Sequence, residues 1–349
     1  MSDNNVLSYD SAPEDKNLDI TLRPTRFHDF IGQKLIKKNL SIYIEASKKR
    51  GDVLDHILFS GPQGLGKTTL SQIIANETNV NLKATSGPVI DKPGDLAGIL
   101  TNLKHGDIFF IDEIHRLNKT TEEYLYSAME DYSIDILIDQ GPNSRSVKIN
   151  LPNFTLIGST TREGLLTSSF RARFGVLERL DYYPWVELKE IAIKSAIILD
   201  IEIDEKSAEM IAKSSRGTPR IVNRFIRRIR DVAQVKGSNK ITEAIVKLGF
   251  KMLGVDKNGV GKMDKKILQT IIQHGGGPIG LKTIAVSVNE QEDTIEEVYE
   301  PFLIQKGYLS KTPRGRIATQ LAYEYMGHES LARQKDDVGL AGKQSTFFN

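Results

Sequence analysis

Residues 56–77 restrict this chain to a small set of folds. A short apolar run (HILFS, 56–60) leads directly into Gly61-Pro62-Gln63-Gly64-Leu65-Gly66-Lys67-Thr68, and residues 68–77 then read as a helix. The octet satisfies G-x-x-x-x-G-K-[ST] at every defined position. Its glycines let the backbone turn so that successive N–H groups face one anion, and the helix start adds a partial positive charge. Lys67 is spaced to reach β- and γ-phosphates, and Thr68 to offer its hydroxyl to magnesium. The expected ligand is a purine nucleoside triphosphate with Mg2+, expected to be hydrolysed.

Two further apolar runs, DIFFI at 107–111 and FTLIG at 154–158, have the texture of buried parallel strands. Strands alternating with helices predict a parallel α/β core. The first run ends in Asp112-Glu113, where one carboxylate can hold magnesium through water while the other polarises the attacking water. Ser159-Thr160-Thr161 follows the other run and reads either as a γ-phosphate or water-binding cluster or as a plain strand-end turn. In SFRARFG, Arg171 and Arg173 are candidates for an arginine presented to a neighbouring subunit's nucleotide, or for surface ion pairs.

Residues 134–150 (IDILIDQGPNSRSVKIN) predict a β-hairpin inserted in the α/β core at 135–149. Its side chains alternate faces, which leaves apolar surface for a cover of its own or for a partner. After Leu180 the texture changes, and residues 187–253 show helical spacing with no strand signal. Gly217-Thr218-Pro219-Arg220 suits a helix start with Thr218 as N-cap and Arg220 near a ligand. A Gly-rich stretch at 254–261 marks a second boundary. Beyond it, helical patterns at 264–273, 281–288 and 293–305 precede extended segments at 308–310 and 316–319 around the turn 312–315. That is a winged-helix pattern. Lys311, Arg314 and Arg316 gather at its wing, a candidate reader of phosphate backbone or a solvated turn, in a unit that nearby acidic residues render neutral.

The 349 residues contain no cysteine, so disulfides, thiolate metal sites and cysteine nucleophiles are excluded. Six scattered histidines lack ligand spacing, and the net charge is only +2. No run is long enough to span a membrane, and the acidic start, residues 1–18, reads as a disordered lead-in rather than a secretory signal. A cytoplasmic location is expected.

Together these motifs resemble the RuvB family, AAA+ motors that drive branch migration of Holliday junctions. The resemblance covers residues 19–319 and is carried by LRPTRFHDFIGQ, LDHILFSGPQGLGKTT, DIFFIDEIHRL, SAMEDYSIDILI, FTLIGSTTR, FRARFG, SRGTPRIVNR and the wing string GYLSKTPRGRIAT. It implies a large α/β P-loop AAA+ ATPase domain at 19–183, a small all-α lid at 184–255 and a winged-helix DNA-binding head at 256–349 ending in a polar tail. By resemblance, Leu22, Arg23 and Ile31 would lie near adenine, with Glu130, Asp131, Tyr132 and Tyr183 lining the nucleotide pocket. Gly64, Gly66, Lys67, Thr68 and Thr69 would hold phosphates, and Thr68 and Asp112 the metal. Asp112 and Glu113 take the Walker B positions, Thr161 the first sensor, Arg220 the second, and Arg173 the arginine finger acting in trans. The 135–149 hairpin would dock the junction-recognising protein RuvA, and Lys311, Arg314 and Arg316 would contact duplex DNA without sequence preference. A homohexameric ring working with RuvA and RuvC in recombination, DNA repair and the SOS response to DNA damage follows from the same resemblance. A clamp-loader-like ATPase and an ATP-dependent winged-helix regulator are the alternatives. The sequence departs from the family at Gln63, where proline is usual, at Glu292, where some relatives have a basic residue, and at Lys311, which replaces a frequent arginine.

Overall fold

The computed structural model describes residues 21–137, 146–237 and 239–328. The expected lead-in at 1–18, the hairpin tip and the tail from 329 lie outside these residues. The described residues divide into two compact units, one within residues 21–200 with 217–226, the other within residues 201–216 with 227–328. This division cuts across the expected lid segment, 184–255.

The first unit is built on strands β1 (Ile57–Ser60), β2 (Leu82–Ser86), β3 (Ile108–Asp112), β6 (Thr155–Thr160) and β7 (Val176–Arg179). They form one sheet in the order β2-β3-β6-β1-β7, every pair parallel. β1 and β6 are buried along their whole length and β3 in all but its last residue, which is why they read as unbroken apolar runs. β2 and β7 are edge strands with mixed exposure, and their polar positions gave no such run. Between β3 and β6 the hairpin is present: β4 (Ser133–Leu137) pairs antiparallel with β5 (Ser146–Asn150), Ile134 opposite Ile149 and Ile136 opposite Val147. Ile134 packs in the core while Val147 is exposed.

The second unit corrects one expectation. Residues 187–253 are not purely helical: Glu202–Ile203 and Lys240–Ile241 form a short parallel pair. Two residues per strand leave no periodicity to detect. Further on, helices Lys262–Gln273 and Leu281–Val288 precede a third at residues 292–305, whose middle, Ile295–Tyr299, is a π-turn. Strands Leu309–Thr312 and Gly315–Ala318 form the wing, and helix Gln320–Met326, which the sequence pattern did not predict, closes the unit by burying Tyr323. Ile267, Leu268, Ile271, Tyr299, Leu303 and Tyr323 are at the centre of this core.

Candidate active site

The phosphate loop leaves the end of β1, and the helix Lys67–Thr78 starts within the motif. Gly61, Gly64 and Gly66 all have positive φ, of 126°, 77° and 107°. Each also sits where a β-carbon would collide. At Gly61 it would lie 2.3 Å from the Leu180 carbonyl oxygen, at Gly64 2.8 Å from Thr218 Cγ2 and 3.1 Å from Arg220 Cβ, and at Gly66 3.0 Å from the Phe30 ring. The glycines thus let three sequence-distant segments close on the loop. The Tyr183 hydroxyl donates to Leu65 O at 3.1 Å, and Arg220 N donates to Gly64 O at 3.4 Å. Gly61→Ala is expected to cost at least ~2 kcal/mol of stability, because a backbone carbonyl must retreat from a residue already in an unfavourable conformation. Urea unfolding measures it, and a midpoint unchanged from wild type contradicts this geometry.

Lys67 is buried, its Nζ donating to Gly61 O at 2.6 Å and Pro62 O at 2.9 Å. Burial pulls it down to about 8, against the pull of Glu113 and Asp112, while Arg220 adds to the depression. The Lys67 ammonium, the Asp112 and Glu113 carboxylates and the Arg220 guanidinium therefore interact as one electrostatic cluster. At the end of β3, Asp112 Oδ1 accepts from the Ser159 hydroxyl. Glu113 follows in a left-handed conformation (φ 49°), which turns its side chain away from the strand. Its Oε2 accepts from Thr161 Oγ1 at 3.2 Å and lies 3.3 Å from His115 Nδ1, which is itself 2.9 Å from Thr160 Oγ1. Burial and the neighbouring Asp112 raise the Glu113 pKa, with Lys67 and Thr161 opposing. Three consecutive polar residues therefore serve three partners: Ser159 on Asp112, Thr160 on His115, Thr161 on Glu113. His115 was missed by sequence reasoning, since a lone histidine two residues past a carboxylate has no motif of its own.

Thr68 and Thr69 are half-buried at the start of the helix. Among the described residues, no cluster of three or more His, Cys, Asp or Glu could hold a metal unaided. The donor set nevertheless fits magnesium bound with a triphosphate, which takes one or two protein oxygens and completes its shell with phosphate and water. On the other flank, Phe30 and Gly32 approach Gly66 and Tyr183. Between them is half-buried Ile31; Leu22 is buried and Arg23 exposed.

Glu130, Asp131 and Tyr132 are at the other edge of the sheet within one chain. Glu130 is the last residue of the helix Lys119–Glu130 and Asp131 and Tyr132 follow it; the helix's Met129 carbonyl is 3.1 Å from His56 Nε2, just before β1. The Tyr132 ring packs against His56 and Phe154, the latter just before β6. Arg173 shares this edge: its Nη1 is 2.7 Å from Glu130 Oε2, its guanidinium stands over the Tyr126 ring, and nearby Gly175 touches Asp55. The phosphate loop leaves the opposite ends of the strands. A four-residue strand alone separates the edges by ~13 Å. Among the described groups, Arg173 Nε is buried without a hydrogen-bond partner.

In the wing, Lys311 and Arg316 face each other across the two strands, but they do not form a free cationic cluster with Arg314. Lys311 Nζ lies 2.7 Å from Glu296 Oε1, and Arg316 makes a two-pronged bond to buried Glu300. Arg314 is exposed in the turn. Carboxylates on the preceding helix, about sixteen residues back, supply these partners.

Comparison with known proteins matches three family models to the chain in order. The description "Holliday junction DNA helicase RuvB P-loop domain" matches residues 22–180, "RuvB AAA lid domain" residues 183–256 and "RuvB C-terminal winged helix domain" residues 257–327. The Holliday junction branch migration complex subunit RuvB of Christiangramia forsetii is 57% identical, covering 93% of this chain and 94% of its own. That of Salinibacter ruber is 52% identical, covering 96% and 98%. Among solved structures, the Thermotoga maritima RuvB Holliday junction branch migration motor superposes with a TM-score of 0.81 at 50% identity, covering 88% of this chain and 99% of that one. With three family domains matched in order over the loop, the Asp112-Glu113 pair and the wing just described, the chain belongs to the RuvB family.

Proposed function

We propose that this chain is the ATP-hydrolysing motor subunit that drives branch migration of Holliday junctions in recombination and repair, including the SOS response to DNA damage. One observation carries the mechanism: phosphate loop, Walker B pair and Arg220 converge at one edge of the sheet, while Arg173 and Glu130 stand at the other. Each chain thus presents two unlike halves of a nucleotide site, and a head-to-tail ring unites them. We take that ring to be a homohexamer around duplex DNA.

Gly64, Gly66, Lys67, Thr68 and Thr69 hold the triphosphate, with the adenine end toward Leu22, Arg23, Ile31 and Tyr183. Thr68 and Asp112 are the residues to hold Mg2+, which supplies charge neutralisation on the triphosphate oxygens. Glu113, raised in pKa by burial and by Asp112, accepts hydrogen bonding from the attacking water better than an ordinary carboxylate. Thr161 keeps that carboxylate in place. Water attacks the γ-phosphorus, the bond to the β-bridging oxygen breaks, and charge builds on that leaving oxygen. A neighbour's Arg173 neutralises it, with Glu130, Asp131 and Tyr132 of the same neighbour forming the wall around it. Arg220 senses the γ-phosphate from the start of helix Pro219–Val235, which continues into the second unit.

The β4–β5 hairpin, with Val147 exposed, is the surface we assign to RuvA, within an assembly that includes RuvC in the cytoplasm. The wing meets DNA through backbone phosphates, at Arg314 first. The test is a synthetic four-way junction incubated with RuvA and ATP. Conversion to duplex arms is expected with ATP, and none with a non-hydrolysable analogue. No conversion under any condition refutes the motor reading.

A further inference from the structure

The two paired cations of the wing are held in different ways. Arg316 is anchored: its Nε donates to Glu300 Oε1 at 2.5 Å and its Nη2 to Oε2 at 3.2 Å, with side chains only 11% and 3% exposed. Breaking such a buried, two-pronged pair strands a charge in a low-dielectric interior, so Arg316 does not change partners easily. Lys311 is held from outside. Its ammonium is 2.7 Å from Glu296 Oε1 but 4.0 Å from Glu300 Oε2, and Lys311 and Glu296 keep 49% and 33% of their side-chain exposure. An ion pair this exposed contributes little and exchanges readily.

The sum of charges matters as much as the distances. Lys311 and Arg316 face Glu296 and Glu300, and Glu296 also approaches Arg316 at 3.7 Å. Two cations against two carboxylates leave this four-residue cluster without net charge to attract a polyanion, with Arg314 outside it. Glu296 is in the π-turn Ile295–Tyr299, whose first and last residues are fully buried. The core therefore fixes where the Glu296 backbone stands, while its carboxylate stays at the surface beside Lys311.

We propose that Glu296 is an internal counter-ion that occupies Lys311 in place of a DNA phosphate and so sets how firmly the wing grips the duplex. The proposal rests on the reading that the wing meets DNA backbone. A phosphate arriving at Lys311 displaces the Glu296 carboxylate, which then stands near it with like charge. Lys311 is gained as a contact, but against an opposing charge that favours early release. Such a grip suits a motor that must let go of the backbone at every step. Arg316 keeps Glu300 throughout and shapes the wing, leaving Lys311 and Arg314 as the exchangeable cations.

The experiment measures affinity of the full chain for a random-sequence duplex. Glu296→Gln is expected to tighten binding about threefold or more at about 50 mM salt, and this gain should shrink about threefold by about 200 mM, the signature of one more net positive charge facing the backbone phosphates. The gain should vanish in Glu296→Gln/Lys311→Met. Should Glu296→Gln bind as wild type or more weakly while Arg314→Ala binds less, the wing meets DNA but Glu296 is no counter-ion to it. A gain that persists without Lys311, or that Glu292→Gln reproduces, overturns the proposal equally. If Arg314→Ala and Lys311→Met both bind as wild type, the DNA-contact reading itself fails.

Discussion

Lys67→Ala is expected to abolish triphosphate binding, weakening it by at least about a hundredfold, since two charge-assisted hydrogen bonds to phosphate at ~1.5–3 kcal/mol each are lost. Titration with a fluorescent ATP analogue measures it. The surroundings of Lys67 suggest a control that separates lost chemistry from lost fold. Burial lowers Lys67 to about 8, so the charged ammonium burdens the folded chain. For a lysine whose folded pKa lies below its unfolded value, that burden is fully present below about 8 and is gone once pH exceeds the unfolded value. Replacing it with uncharged methionine of similar shape removes the burden at neutral pH. Lys67→Met is therefore expected to melt no lower than wild type while failing to bind. A variant that binds poorly because it is partly unfolded makes Lys67 a structural residue, and the phosphate assignment is then wrong.

Arg173→Ala is expected to keep nucleotide affinity and lose hydrolysis by about 10³–10⁵-fold, the range for removal of an arginine finger. The sheet supplies the reason binding survives. Arg173 sits beside Glu130 at the edge where the strands begin, whereas the loop that binds phosphate is at the edge where they end. No side chain spans that distance within one chain. Mixing gives a sharper test. In rings assembled from equal parts Arg173→Ala and Lys67→Ala chains, about a quarter of interfaces pair an intact loop with an intact arginine, so hydrolysis should return to about a quarter of wild type. Hydrolysis at the wild-type rate by Arg173→Ala alone sinks the trans assignment. Recovery of nothing in the mixture does the same.

Much of the nucleotide site is legible in the amino-acid sequence, and the reason is local. A phosphate loop is made by consecutive backbone groups, so glycine spacing and Lys67-Thr68 display it directly. Asp112-Glu113 announces itself because a buried strand must be apolar until its end. The winged-helix order is readable for the same reason, down to the turn at Arg314. Edge strands β2 and β7, the two-residue strands at 202 and 240, and the last helix escaped because half-exposed or very short elements leave no periodic trace.

The phosphate loop at residues 61–68, its lysine and the acidic pair at 112–113 were determined by the sequence itself, because each is built from neighbours in the chain. Which residue faces which was decided only by the tertiary structure. Strand order puts Ser159 on Asp112 and Thr161 on Glu113 across forty-odd residues, and brings Thr218 and Arg220 against Gly64. The same order sends Glu130 and Arg173 to the far edge of the sheet. In the wing, the sequence displays three cations, but the packing of the 292–305 helix commits two of them to carboxylates. Residue types are a property of the chain; the charge a ligand meets is a property of how distant segments pack, because attraction and screening depend on separation in space.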